Sequence, residues 1–319
     1  MTITRRGGLL ALASATAVAG GAAAQDAYPT RAVELVVPSA PGGGTDVMTR
    51  AFAEAAKAHS PQPFVVNNRP GASGAIGMGE VLNARPDGYK VSVVIAELAI
   101  LPALNQIRFG PEDFRMAARL NADPAAIAVR SDAPWRTLED FIAAAKRSSE
   151  AVKVGNSGVG SIWHLAAAAL GDKVGAKFLD VPFGGSGPSL LALISGQIDA
   201  VCCAPGEATP HIQGGRLRLL GITADARLPA FAEVPTMKER GVDVTIGTWR
   251  GLGVPRATPA PVVARIAEIA RATSAEASFR DAMGRASLGL AFADGPAFEA
   301  DVARDKETFA RLVRTLGIS

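Results

Sequence analysis

From Val33 onward, short β-branched apolar runs alternate with stretches of helical spacing. The run VELVV over residues 33–37 predicts a buried strand. The cluster Pro41-Gly42-Gly43-Gly44 follows as a turn, and a helix is predicted with Thr45 as N-cap and Asp46 in its first turn. Val47, Phe52, Ala55 and Ala56 mark the expected apolar side. The same strand, glycine loop and helix recur about 115 residues later. There a strand over 151–154 meets a loop over 155–161, then a helix carrying Leu165 and Leu170. The segment PFVVNNRPGASGAIGMGEVLNA reads as a strand, a Pro/Gly turn and a helix, and further strands are predicted near 91–95, 125–129, 177–182, 198–203 and 217–223. Helices are predicted near 138–146, 188–195, 260–272 and 296–316. Strands alternating with helices argue for an α/β fold with largely parallel sheets, whose ligands bind beyond the carboxyl ends of the strands.

The glycine loops sit at those ends. Glycine lets backbone approach a guest closely, and the first N–H groups of a helix have no internal acceptor. Such a helix start, with its partial positive charge, suits a carboxylate or a phosphate. Two loops of this kind, joined by GASGAIG and FGGSGPS, point to anion binding. Thr45, Asn156, Ser157 and Ser161 add side-chain hydrogen-bonding groups. Asp46 is expected either to compensate the helix dipole or to meet an amino or hydroxyl group of the guest. His164 would cap, pack or touch the guest, and Trp249 would line a cleft or sit in the core. GxxxxGK[ST] and a strand-linked GxGxxG with a distal acid are both missing, which speaks against ATP or NAD. GxSxG and HExxH are missing too. A Ser161–His164 dyad has no evident orienting acid, so catalysis is not expected.

Before Gln25 the chain reads as an exported leader. Arg5 and Arg6 precede an apolar, alanine-rich run, and Ala22-Ala23-Ala24 suits signal peptidase. Residues 1–24 are therefore expected to be a cleaved signal peptide of Sec or twin-arginine type, and the mature chain to be periplasmic. Without Arg5 and Arg6, 31 basic residues face 30 acidic ones. That balance, with no basic stripe, disfavours nucleic acid. Cys202 and Cys203 are the only cysteines, and being adjacent they suit small apolar positions in a buried strand better than a disulfide. No cofactor or metal is implied, since His59, His164 and His211 form no ligand pattern.

An ordered series of segments runs over nearly the whole mature chain: YPTRAVELVVPSAPGGGTD, NNRPGASGAIG, RPDGYK, GVGSIWHL, VPFGGSGPSLLALISGQIDA, PHIQGGRLRLLGIT, EVPTMKERG and WRGLGVPRATP. In these the chain resembles the Bug/TctC-like extracytoplasmic solute receptors of tripartite tricarboxylate transporters. The resemblance implies a two-lobed, type II-like periplasmic binding protein that closes on its ligand as a Venus flytrap. Lobe 1 would comprise residues 25–125 and 248–319, and lobe 2 residues 126–247. It implies capture of a small carboxylate (a dicarboxylate, an amino acid or an aromatic acid) by a monomer that delivers it to membrane transporter subunits. A sensor presenting the ligand to a membrane kinase, or a periplasmic hydrolase, are the alternatives. Carried over, ligand contacts fall on Pro41, Gly42, Gly43, Gly44, Thr45 and Asp46, on Ala72, Ser73 and Gly74, on Gly158, Gly160, Ser161 and His164, and on Phe183, Gly184 and Ser186. The family usually shows VPYKG where this chain has VPFGG, often Phe at Ser39, and small polar residues over 96–101 where this chain has Glu97. A glutamate facing the cleft there would disfavour a polyanion.

Overall fold

The β-branched runs form the middles of two sheets, which the helices cover. The computed structural model describes residues 28–147 and 152–318; the expected signal peptide lies outside them. The strands are β1 (Val33–Val37), β2 (Phe64–Asn68), β3 (Lys90–Ile95), β4 (Phe114–Pro124), β5 (Ala126–Arg130), β6 (Val152–Asn156), β7 (Phe178–Pro182), β8 (Ala200–Cys203), β9 (Leu217–Ile222), β10 (Gly247–Pro255) and β11 (Leu290–Asp294). The helices are α1 (Gly44–Ala55), α2 (Ala75–Leu82), α3 (Glu97–Ile100), α4 (Leu138–Arg147), α5 (Ile162–Val174), α6 (Ser186–Ile194), α7 (Pro205–Gln213), α8 (Ala260–Ala275), α9 (Ala277–Arg285) and α10 (Gly295–Leu316).

One sheet has the order β11-β4-β10-β3-β1-β2, the other β7-β6-β8-β5-β9. The expectation of largely parallel sheets holds only around the glycine loops. There β1 pairs in parallel with β2 and β3, and β6 with β7 and β8. The remaining pairs are antiparallel, so both sheets are mixed. The cause is the crossing between sheets. β4 leaves the first sheet and, after Ala125 alone, continues as β5 in the second. The chain returns as β10, which must then run against β4. At this crossing the Ala125 N–H donates to the Ile246 carbonyl at 3.1 Å and to the Thr223 hydroxyl at 2.8 Å.

Central strands are apolar on both faces because helices cover both. In β1, Val33, Leu35 and Val37 enter one core cluster while Val36 enters another. The same alternation separates the cysteines: Cys202 and Cys203 are buried and unbridged, in clusters on opposite sides of β8. In α1, Met48, Phe52 and Ala55 pack inward, as does Ala56 just beyond it, but Val47, expected on the apolar side, is exposed.

Candidate functional site

The carboxyl ends of β1, β2, β3, β6 and β7 meet across a cavity of about 290 Å³. Its walls come from the loops after those strands and from Thr248 and Arg250 on β10. The two sets of loops touch. The Ala40 N–H donates to the Gly184 carbonyl at 3.3 Å, and the Ser73 hydroxyl donates to the Val159 carbonyl at 2.6 Å. The first loop turns at Gly42, whose φ of 85° favours glycine, and α6 is entered through Gly185 at 149°. The N-cap of α1 is Gly43 rather than the expected Thr45, which lies inside the first turn. A Cβ on Gly43 would stand 3.8 Å from the Gly187 nitrogen and 3.9 Å from that of Ser186. The start of α6 therefore stands close against the start of α1 at the cavity wall.

Each of two helix starts receives a carboxylate from the opposite side. Glu207, in the first turn of α7, accepts from the Gly44 N–H at 2.9 Å through Oε1 and from the Ala204 N–H at 2.9 Å through Oε2. Glu97, at the start of α3, accepts from the Ile162 N–H of α5 at 3.0 Å. Arg250 holds the first of these in place. Its guanidinium is 2% exposed and donates to the Thr45 hydroxyl (3.0 Å), Asp123 (2.6 Å), Glu207 (3.1 Å) and Asn121. Glu97 is 4% exposed. Burial pushes its carboxyl up from the usual 4.5 to about 7, and the Glu207 charge adds to this, against the Ile162 hydrogen bond and the Arg250 charge.

Of the residues expected from sequence, Gly43, Gly44, Thr45, Ala72, Ser73, Gly74, Gly158, Phe183, Gly184 and Ser186 line the cavity. Pro41, Gly42, Asp46, Gly160, Ser161 and His164 do not. Pro41 and Gly42 are exposed at the rim. Asp46 turns back on its own loop, accepting from the Gly42 N–H, Asn68 and Arg50, each at 3.0 Å. Burial pushes its carboxyl up, but these hydrogen bonds together hold it below the usual carboxylate range. Asp46 thus shapes the turn and does not face the cavity. Ser161 is fully buried as the N-cap of α5, accepting from the His164 backbone N–H at 3.2 Å. The His164 ring faces the other way: Nδ1 accepts from the Gly160 N–H at 3.1 Å, and Nε2 stands 3.7 Å from Asp180. Gly160 spends its N–H on that ring and sits behind the wall. The imagined Ser161–His164 dyad is a helix cap. Trp249 is core: it packs edge-on against Phe298, and its indole N–H donates to Asp305 at 2.8 Å.

Glu207 and Arg250 were missed by sequence reasoning. The signal for Glu207 was its place three residues after Ala204, where a capping box has its acid. Nothing local marked Arg250, because an arginine in a strand reads as a surface residue until its neighbours are known. Strand alternation explains the split on β10: Thr248 and Arg250 face the cavity, and Trp249 faces the core.

Residues 48–310 match the family of tripartite tricarboxylate transporter receptors. A TctC solute-binding protein from Polaromonas, solved without ligand, is 46% identical over 90% of this chain and 99% of its own, with a TM-score of 0.67. MatC of Rhodopseudomonas palustris, solved with bound malate, is 28% identical over 90% of this chain and 100% of its own, with a TM-score of 0.82. A second R. palustris protein, solved with adipate, is 26% identical over 92% of this chain and 99% of its own, with a TM-score of 0.87. The chain more similar in sequence thus superposes less well than the two that hold a ligand.

Proposed function

Because the chain belongs to the tripartite tricarboxylate transporter receptor family, we propose that it captures a small carboxylate-bearing solute in the periplasm and presents it to membrane transporter subunits. Its family and structural neighbours are binding proteins, not enzymes. The observation that carries the reading is the meeting of two helix starts, α1 at Gly43–Thr45 and α6 at Gly185–Ser186, at one cavity. First-turn N–H groups lack intrahelical acceptors, so a carboxylate placed between these two starts gains charge-assisted hydrogen bonds from both sides at once. Such a ligand joins the lobes only when they are closed, so it favours closure through its differential affinity for that state.

Two further points support the reading. The cavity volume of about 290 Å³ suits a small solute rather than a nucleotide. The closer superposition on the malate- and adipate-bound proteins than on the more identical ligand-free one fits lobes that stand closed here. The chain's hinge would be the crossing at Ala125, where β4 passes directly into β5 and the Ala125 N–H bonds to the Ile246 carbonyl just before β10.

A thermal-shift screen of dicarboxylates, monocarboxylates, amino acids and aromatic acids tests the proposal. A ligand at 100 times its Kd is expected to stabilise the protein by about 2.7 kcal/mol. Gly43→Val, which fills the space before the Ser186 and Gly187 amides, should abolish the shift and leave the unliganded protein folded. Absence of any shift across all four classes overturns the proposal.

A further inference from the structure

The two glutamates at the helix starts bear on which acid enters. Resting on the reading above, we propose that the solute carries a cationic nitrogen as well as a carboxylate, and that Glu97 is the residue that selects it.

Among the described residues lining the cavity, the ionisable side chains are Glu97, Glu207 and Arg250, with no lysine or histidine. Arg250 has no charge to spare for a guest. Its donors go to Thr45, Asn121, Asp123 and Glu207, and two of those partners are themselves carboxylates. Arg250 is thus already neutralised by Glu207 and Asp123, and Glu97 leaves the side chains lining the cavity with a negative excess. A second ligand carboxylate would enter a field of the wrong sign with no free cation to meet it.

Glu97 is the group with room for a partner. Among the described residues, its side chain has one hydrogen bond to another residue, the Ile162 N–H. A buried carboxylate has about four lone-pair sites and is costly when most of them stay empty. Besides its own backbone N–H, no second donor to Glu97 stands among the described residues; an ammonium or similar N–H cation of the guest would supply one. Glu207 differs, since both of its oxygens are already engaged, by Gly44 and Arg250 on one side and by Ala204 on the other. The cavity thus has two unlike ends. Amide donors of α1 and α6 face one carboxylate, and the Glu97 oxygen faces one cation. A zwitterion satisfies both ends and a dianion only one.

Matched probes test this by calorimetry at pH 8. Succinate, glutarate and adipate are compared with 3-aminopropanoate, 4-aminobutanoate and 5-aminopentanoate, in which an ammonium replaces one carboxylate. Butanoate, benzoate and the common α-amino acids complete the set. The expected result is that at least one ammonium-bearing acid binds at least tenfold more tightly than its dicarboxylate counterpart. Glu97→Gln should reduce that preference at least tenfold while its amide oxygen still accepts from Ile162. Equal or tighter binding of the dicarboxylates, or a preference that survives Glu97→Gln, overturns the inference and leaves carboxylate capture standing. Binding of none of these acids overturns both. Should Glu97→Gln misfold, the wild-type ranking of the matched probes decides alone.

Discussion

The starts of α1 and α5 are written in the same local grammar, yet they are capped differently. At α5, Ser161 caps the helix from within its own loop. At α1, Gly43 offers no side chain, and the Gly44 N–H is met only by Glu207 from the other sheet. The first of these starts, α5, is partly capped within its own loop, and Glu97 adds an acceptor to its Ile162 N–H from the opposite side. The second is completed by closure, or by a guest. A glycine N-cap therefore leaves the donor set open, whereas a serine N-cap consumes part of it.

Breaking the support of α1 should cost most. Arg250→Ala leaves Asp123 and Glu207 buried without their shared cation, and is expected to lower unfolding stability by about 3–5 kcal/mol in a urea titration. A loss under 1 kcal/mol would show that the network contributes little.

Next comes Glu97, the carboxylate seated on α5. Its carboxyl binds a proton more tightly folded, at about 7, than unfolded, near 4.5. The folded state therefore holds more protons between those values, and stability falls as pH rises through that window. Glu97→Gln removes this penalty. It should raise stability by up to about 3 kcal/mol at pH 8, with the gain fading as pH falls to 4.5. A gain that does not change with pH would sink this account.

Gly44→Ala sharpens the comparison further. Its Cβ would stand 2.8 Å from both Arg250 Nη2 and Glu207 Oε1, so the pair must shift, at an expected cost of about 1–3 kcal/mol. Gly43→Ala, one residue earlier, meets nothing nearer than 3.8 Å and should cost less than about 1 kcal/mol. Equal effects of the two substitutions in chemical denaturation would contradict the geometry. A similarly small effect is expected for Ser161→Ala, which removes an ordinary N-cap for about 1 kcal/mol. It should leave carboxylate affinity unchanged, because Ser161 stands behind the cavity wall.

The parallel pairs were readable because β-branched runs beside glycine loops give a strong local signal. β4, β10 and β11 were not. β4 carries Arg115 and Arg119 within FRMAARLNADP, and β10 reads GTWRGLGVP. Glycines weaken a strand signal, yet here close approach demands one: a Cβ on Gly251 would run into the Ala118 carbonyl and the Phe298 ring. Candidate residues followed the same division. Gly43, Gly44, Thr45 and Ser186 belong to loops whose backbone pattern is local, and they line the cavity. Ser161 and His164 belong to an equally legible loop but face away, because their mutual cap turns them inward.

By itself, then, the order of residues determined where backbone donors are exposed, since turns, caps and helix starts depend on neighbours a few positions apart. Which of those donors remain for a guest was decided only in three dimensions. Glu97 meets Ile162, Glu207 meets Gly44 and Arg250 meets Asp123, each pair more than sixty positions apart in the chain. Charge acts through space, and the sign of a cavity is set by which distant side chains the fold brings to its wall.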